Sequence, residues 1–229
     1  MKKWLKKLIS GEKTVIVAFG DSVTAGYFKS GTGEVHSELD EGAAYHQILG
    51  EKLRNIIPNS KLEVINAGVG GDSANTAKKR LQQDVLNKKP DLVTVCFGLN
   101  DVNGSVETYK NSLAEIFTRI KEIGADILFL TPNMLNTTVS PDTVDGLIDY
   151  ANKTAGFQND GTMDEFMDVA RGVAAEFRIP VCDCYKKWKA LSKMGVDTVA
   201  LLDNRINHPT RAMHEFFAEN LLDTLLFCD

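Results

Sequence analysis

The sequence predicts an α/β fold in which a central, five-stranded parallel sheet lies between two layers of helices. Three observations predict it. Short β-branched and apolar runs alternate with longer stretches of helical period, the pattern of successive βαβ units. The runs at 14–20, 92–97 and 127–131 are almost continuously apolar, as strands covered on both faces must be. Glycine, asparagine and aspartate gather in loops that follow such runs, at the end of a parallel sheet where ligands collect.

Taken in order, strands are expected at 14–20, 61–66, 92–97, 127–131 and 179–183. Apolar spacing and turn residues place helices at about 43–57, 74–88, 106–124, 163–177, 185–194 and 210–226. Pro58, Pro90 and Pro180 fall at boundaries, where a missing N–H is tolerated. Residues 132–161, rich in Asn, Thr, Asp and Gly, read as an excursion above the sheet with a short helix near 144–152, and as part of a substrate lid. Nothing in the chain reads as a repeat or linker, so 13–229 is expected to form one domain behind a short amphipathic helix within 1–12.

With 43% hydrophobic and 25% charged residues, the chain of 229 has enough apolar content to bury a large core. Its net charge of −5 is uneven. Residues 1–13 carry five Lys and one Glu, and the remaining 21 basic against 30 acidic side chains give −9. An acidic body without a basic face argues against nucleic acid as a partner.

In the basic N-terminal segment, Trp4, Leu5, Leu8 and Ile9 are interrupted by Lys6 and Lys7. That is too broken for a secretion signal, so a cytoplasmic protein is expected. The 4, 5, 8, 9 spacing marks one helix face, expected to dock on the protein's own body or on a sister subunit of a homo-oligomer rather than on a membrane surface. No run approaches the ~18 apolar residues of a membrane span, so stable insertion is not expected. Cys96, Cys182, Cys184 and Cys228 lack paired zinc-site spacing and read as reduced, buried apolar groups, Cys228 alone as exposed.

Four loops carry unusual residues: Gly20-Asp21-Ser22, Asn66-Ala67-Gly68-Val69-Gly70-Gly71-Asp72, Gly98-Leu99-Asn100-Asp101, and Asp203-Asn204-Arg205-Ile206-Asn207-His208-Pro209 before the last helix. Each alone is a weak signal. A serine after a Gly-Asp turn is usually an N-cap, glycines serve tight turns, and a single histidine is usually structural. Together they supply what acyl transfer needs: a hydroxyl nucleophile, an imidazole to take its proton, and donors for a developing oxyanion.

These four blocks resemble those of the SGNH hydrolases, also called GDSL-type lipases and esterases, and the resemblance runs the length of the chain. It implies a flavodoxin-like three-layer α/β/α fold, ester hydrolysis, and no metal or organic cofactor. It places the nucleophile on Ser22, the general base on His208, and the oxyanion hole on Ser22, Gly71 and Asn100. Asp21 and Asn207, next to two of these, are candidates for the substrate side, although Asp21 and Asp101 also suit loop-fixing hydrogen bonds.

One position departs from the family pattern. The acid that orients the histidine commonly stands three residues before it, and here that residue is Arg205, which cannot accept an Nδ1–H bond. Asp203 is the nearest carboxylate and the preferred third catalytic residue; the alternative is a Ser–His dyad with a backbone carbonyl behind the ring. His36, His46 and His214 lack metal-ligand spacing and read as surface or packing residues.

The expected activity is carboxylic ester hydrolysis through an acyl-enzyme, on a short acyl group or as a carbohydrate O-deacetylase, with a small-molecule or carbohydrate ester as substrate. The alternatives are a lipase or lysophospholipase type of acylhydrolase, an acyltransferase, and a non-catalytic binding protein retaining the fold.

Overall fold

The computed structural model describes residues 2–28 and 38–227. Five parallel strands form one sheet in the order β4-β1-β5-β6-β7: β1 (Lys13–Gly20), β4 (Lys61–Gly68), β5 (Leu92–Cys96), β6 (Asp126–Leu130) and β7 (Val181–Cys182). A separate two-stranded ribbon pairs β2 (Tyr27–Phe28) with β3 (Glu38–Leu39). β1 and β5 sit inside the sheet and are almost wholly buried, which explains their unbroken apolar sequences. The expected five-stranded α/β/α architecture is the one observed.

Register sets the level of the site. Gly20, at the end of β1, stands opposite Gly68 of β4 on one side and Cys96 of β5 on the other. Three strands therefore finish together, and their following loops leave the sheet side by side.

The longer helices agree with the apolar periodicities: α3 (Tyr45–Ile56), α6 (Val106–Glu122), α8 (Thr162–Glu176), α9 (Cys184–Lys193) and α10 (Arg211–Phe227). The expected helix at 74–88 is instead two short helices, α4 (Ala74–Ala77) and α5 (Leu81–Asp84), followed by a 3-10 turn at Leu86–Lys88. A capping box between Ser73 and Thr76 closes the first turn, and Arg80 between the two pieces sends its side chain back to Ala67 and Gly20. The last strand is shorter than expected because Pro180 has no N–H to give a ladder, although its carbonyl accepts the Phe129 N–H at 3.0 Å. In the excursion, α7 (Ile148–Asn159) runs well past 152, with Thr154 and Gln158 buried beneath it.

The first helix, α1 (Lys3–Ile9), docks on its own chain: Trp4 and Leu8 belong to the main core, while Ile9 is exposed. Lys2 Nζ donates to the Thr224 and Leu225 carbonyls at 3.2 and 3.1 Å, and Lys7 pairs with Asp91 at 2.8 Å. Cys96, Cys182 and Cys184 are buried free thiols. His46 and His214 are buried packing residues, whereas His36 and Cys228 lie outside the described residues.

Candidate active site

The nucleophile candidate stands on a one-turn helix, α2 (Ser22–Ala25), entered directly from β1. Asp21 caps it: its Oδ1 accepts the Val23 N–H at 2.9 Å and its carbonyl accepts the Ala25 N–H at 2.9 Å. Gly68 lets the neighbouring strand end press against this turn, because a Cβ there would run into the Ala25 backbone nitrogen.

The imidazole arrives from the other end of the chain. Residues 203–208 form a loop closed by the bridge between Leu202 and Pro209 and by the Asp203 N–H on the His208 carbonyl at 2.6 Å. His208 Nε2 then lies 2.9 Å from Ser22 Oγ. Burial pushes the imidazole pKa down from 6.5 to about 4, against the opposing pull of the Asp203 charge, so the ring is neutral and able to accept a proton at neutral pH.

Gly71 and Asn100 line the same cavity of about 290 Å³ as Ser22 and His208. Gly71 adopts φ +78° with open space on its Cβ side, so its lack of a side chain serves backbone conformation, not clearance. Asn100 Nδ2 donates one hydrogen to the Asp72 carbonyl at 2.8 Å, which fixes the amide and leaves its second hydrogen available. Asn207 also lines the cavity.

Two of the sequence expectations need correction. Asp21 was a candidate for the substrate side, yet it is 1% exposed and faces the protein interior. Its Oδ1 caps α2 and it is not among the residues that line the cavity, while burial raises its pKa from 3.8 to about 7 against the lowering effect of the Val23 N–H. Asp203 was the preferred orienting acid, but His208 Nδ1 is buried with no hydrogen-bond partner among the described residues. The Asp203 charge lies close enough to pull the imidazole pKa upward, against burial.

The loops are locked to one another by Arg80, which the sequence did not single out for this task, and by Asp101, which it did. Arg80 Nε meets Asp72 at 2.6 Å, its two terminal nitrogens reach the Ala67 and Gly20 carbonyls at 2.7 and 3.0 Å, and its guanidinium covers the Phe19 ring at 4.8 Å. Asp101 Oδ1 accepts the Ala74 N–H at 2.9 Å, tying the third loop to the second, and burial raises its pKa to about 7. Tyr27 and Tyr150 flank the cavity, Tyr27 lying against Gly70. No local pattern marks Arg80, Tyr27 or Tyr150, because each acts across a long sequence separation. No group of three or more His, Cys, Asp or Glu among the described residues is arranged to hold a metal.

Known proteins place this arrangement in context. The chain is 24% identical to the acetylxylan esterase of Geobacillus stearothermophilus over 236 residues, covering 96% of this chain and 97% of that one. It is also 24% identical to an uncharacterised lipoprotein of Bacillus subtilis (strain 168) over 214 residues, covering 85% and 82%. The crystal structure of a lipase/acylhydrolase from Enterococcus faecalis superposes with a TM-score of 0.67 at 25% identity, over 93% of this chain and 95% of that chain. The sequence profile of the GDSL-like Lipase/Acylhydrolase family matches residues 18–216, and the chain belongs to that family.

Proposed function

We propose that the protein is a serine ester hydrolase that removes short acyl groups, acetyl above all, from carbohydrates, with Ser22 as nucleophile and His208 as base. The 2.9 Å contact between His208 Nε2 and Ser22 Oγ, at the wall of a solvent-reaching cavity, carries the reading. His208 takes the hydroxyl proton as Ser22 Oγ attacks the ester carbonyl, then returns it to the departing alcohol. The N–H groups of Ser22 and Gly71 and the free hydrogen of Asn100 Nδ2 stabilise the tetrahedral oxyanion. Water, deprotonated by the same imidazole, releases the acyl group from the serine.

The cavity favours a neutral, polar alcohol. Among the described residues that line it, none is Asp, Glu, Lys or Arg, while Asn204 and Asn207 supply amides and Tyr27 and Tyr150 supply aromatic faces. Apolar lining is limited to Leu147 and Ile206, too little for a long acyl chain. The acetylxylan esterase relative agrees with an acetylated sugar as substrate.

No helix among the described residues is long and apolar enough to cross a membrane. The absence of a nucleic-acid partner is part of the proposal.

Hydrolysis of p-nitrophenyl acetate by the wild type, its loss in Ser22→Ala, and covalent labelling of Ser22 by a fluorophosphonate test the chemistry. Equal rates in the two proteins defeat it. A panel of acetylated monosaccharides against p-nitrophenyl octanoate tests the substrate class, and a preference for octanoate overturns it.

A further inference from the structure

We infer that Asn204 is the positioning residue of the histidine: its side chain fixes the backbone of residues 206–208 and so aims His208 at Ser22. The inference rests on the serine esterase reading. Asn204 Oδ1 accepts three consecutive backbone N–H groups, from Ile206, Asn207 and His208, at 3.0, 2.9 and 2.9 Å. Its Nδ2 donates to Asn207 Oδ1 at 2.9 Å. One amide side chain therefore closes the turn from within.

The outer side of the same loop is held as well. The Ile206 carbonyl accepts the Asn136 N–H at 2.9 Å, and the Asn207 carbonyl accepts Asn133 Nδ2 at 2.9 Å. Arg205 makes room by adopting φ +62° and turning its guanidinium to the Ala200 and Leu202 carbonyls at 2.9 and 3.4 Å. Donors point inward to Asn204 and acceptors outward to the excursion, so little freedom is left to the residue that follows.

This brace matters because the usual one is missing. In a serine triad a carboxylate bonded to Nδ1 holds the ring. Here Nδ1 has no hydrogen-bond partner among the described residues, and Asp203 influences the ring by charge. The backbone beneath the ring, which Asn204 gathers, is the hydrogen-bonded brace that remains behind the orientation leaving Nε2 at 2.9 Å from Ser22.

Asn204→Ala and Asn204→Asp distinguish positioning from a substrate contact, since Asn204 also lines the cavity. With p-nitrophenyl acetate, Asn204→Ala is expected to lower kcat about tenfold or more with KM within about twofold, because the loss is of catalytic geometry and not of binding. Its crystal structure should show the Nε2–Oγ contact broken. Asn204→Asp keeps an oxygen for the three N–H groups and should restore both the contact and most of kcat.

The aspartate also adds a negative charge beside the imidazole, to which Asp203 of the same loop and His214 of α10 are already coupled. It should therefore move the acid limb of kcat/KM to higher pH. Unchanged kcat in Asn204→Ala, a rise in KM alone, or an Asn204→Asp protein whose contact is lost would each overturn the inference. Should Asn204→Ala fail to fold, the contact and the acid limb in Asn204→Asp decide the matter. Should the wild type prove inactive, the function reading falls, while the crystallographic distance still tests the positioning.

Discussion

Replacing His214 by glutamine isolates one buried imidazole and measures what it contributes to acid sensitivity. His214 is fully buried on α10, packed against Phe28 with ring centroids 4.8 Å apart; Nδ1 accepts the Tyr45 N–H at 3.1 Å, and Nε2 is buried without a hydrogen-bond partner among the described residues. Burial lowers its pKa from 6.5 to about 3, with smaller contributions from the charges of His46 and His208. The folded value lies below the unfolded one, so between about 3 and 6.5 the unfolded chain binds the extra proton. The stability that His214 preserves at neutral pH is lost as the pH falls through that window.

At about 1.4 kcal/mol per pH unit, acidifying from about pH 7.5 to pH 5 costs the wild type about 2 kcal/mol through this ring. Glutamine keeps an acceptor for the Tyr45 N–H but does not titrate. Urea unfolding of both proteins, followed by the fluorescence of buried Trp4 and Trp188, should show His214→Gln less stable at about pH 7.5 by about 1–3 kcal/mol, for lost packing and an unpartnered amide. The gap should shrink by about 2 kcal/mol at about pH 5, since the other titrating groups are common to both proteins and largely cancel. A gap that is the same at the two pH values, or wider in acid, refutes the reasoning.

Asn100→Ala removes the proposed oxyanion donor and should lower kcat about 10²–10³-fold (about 2.7–4 kcal/mol) with little change in KM; a change confined to KM would place Asn100 in ground-state binding. Asp203→Asn should cost about tenfold in kcat, far less than the ~10⁴ seen when an acid bonded directly to the histidine is neutralised, and should move the acid limb of kcat/KM to lower pH; a limb moving upward would contradict the charge effect on His208. Arg80→Lys cannot reach Asp72, Ala67 and Gly20 together, so thermal unfolding should show a loss of about 1–3 kcal/mol and kcat should fall; an unchanged melting temperature would show that the loops hold without the guanidinium.

Much of this molecule is legible in its sequence because the decisive signals are local. β1 and β5 read as buried strands from unbroken apolar runs, and the four site loops announce themselves by glycine, asparagine and histidine at strand ends. The failures are long-range. At the break between α4 and α5, Arg80 reaches carbonyls 13 and 60 residues away, a tie that no local pattern announces. Asp21 resembled a site residue because it adjoins Ser22, but side chains on successive residues point in different directions, and its carboxylate turned inward to cap α2. The missing acid at 205 was visible, and Asp203 or a backbone carbonyl was the expected substitute; the loop is instead gathered by Asn204, whose Oδ1 also takes the Asn207 and His208 N–H groups, beyond the two-residue reach by which an Asx turn is read from sequence.

Because β4, β1 and β5 end at one level, the bond-making atoms are anchored to the stiffest part of the molecule. The chain between β6 and α8, by contrast, contributes Leu147 and Tyr150 to the lining of the same cavity. Reshaping that stretch at these two positions should therefore retune which esters gain entry without disturbing how they are cleaved. An engineer seeking a new deacetylase would begin there and leave the floor alone.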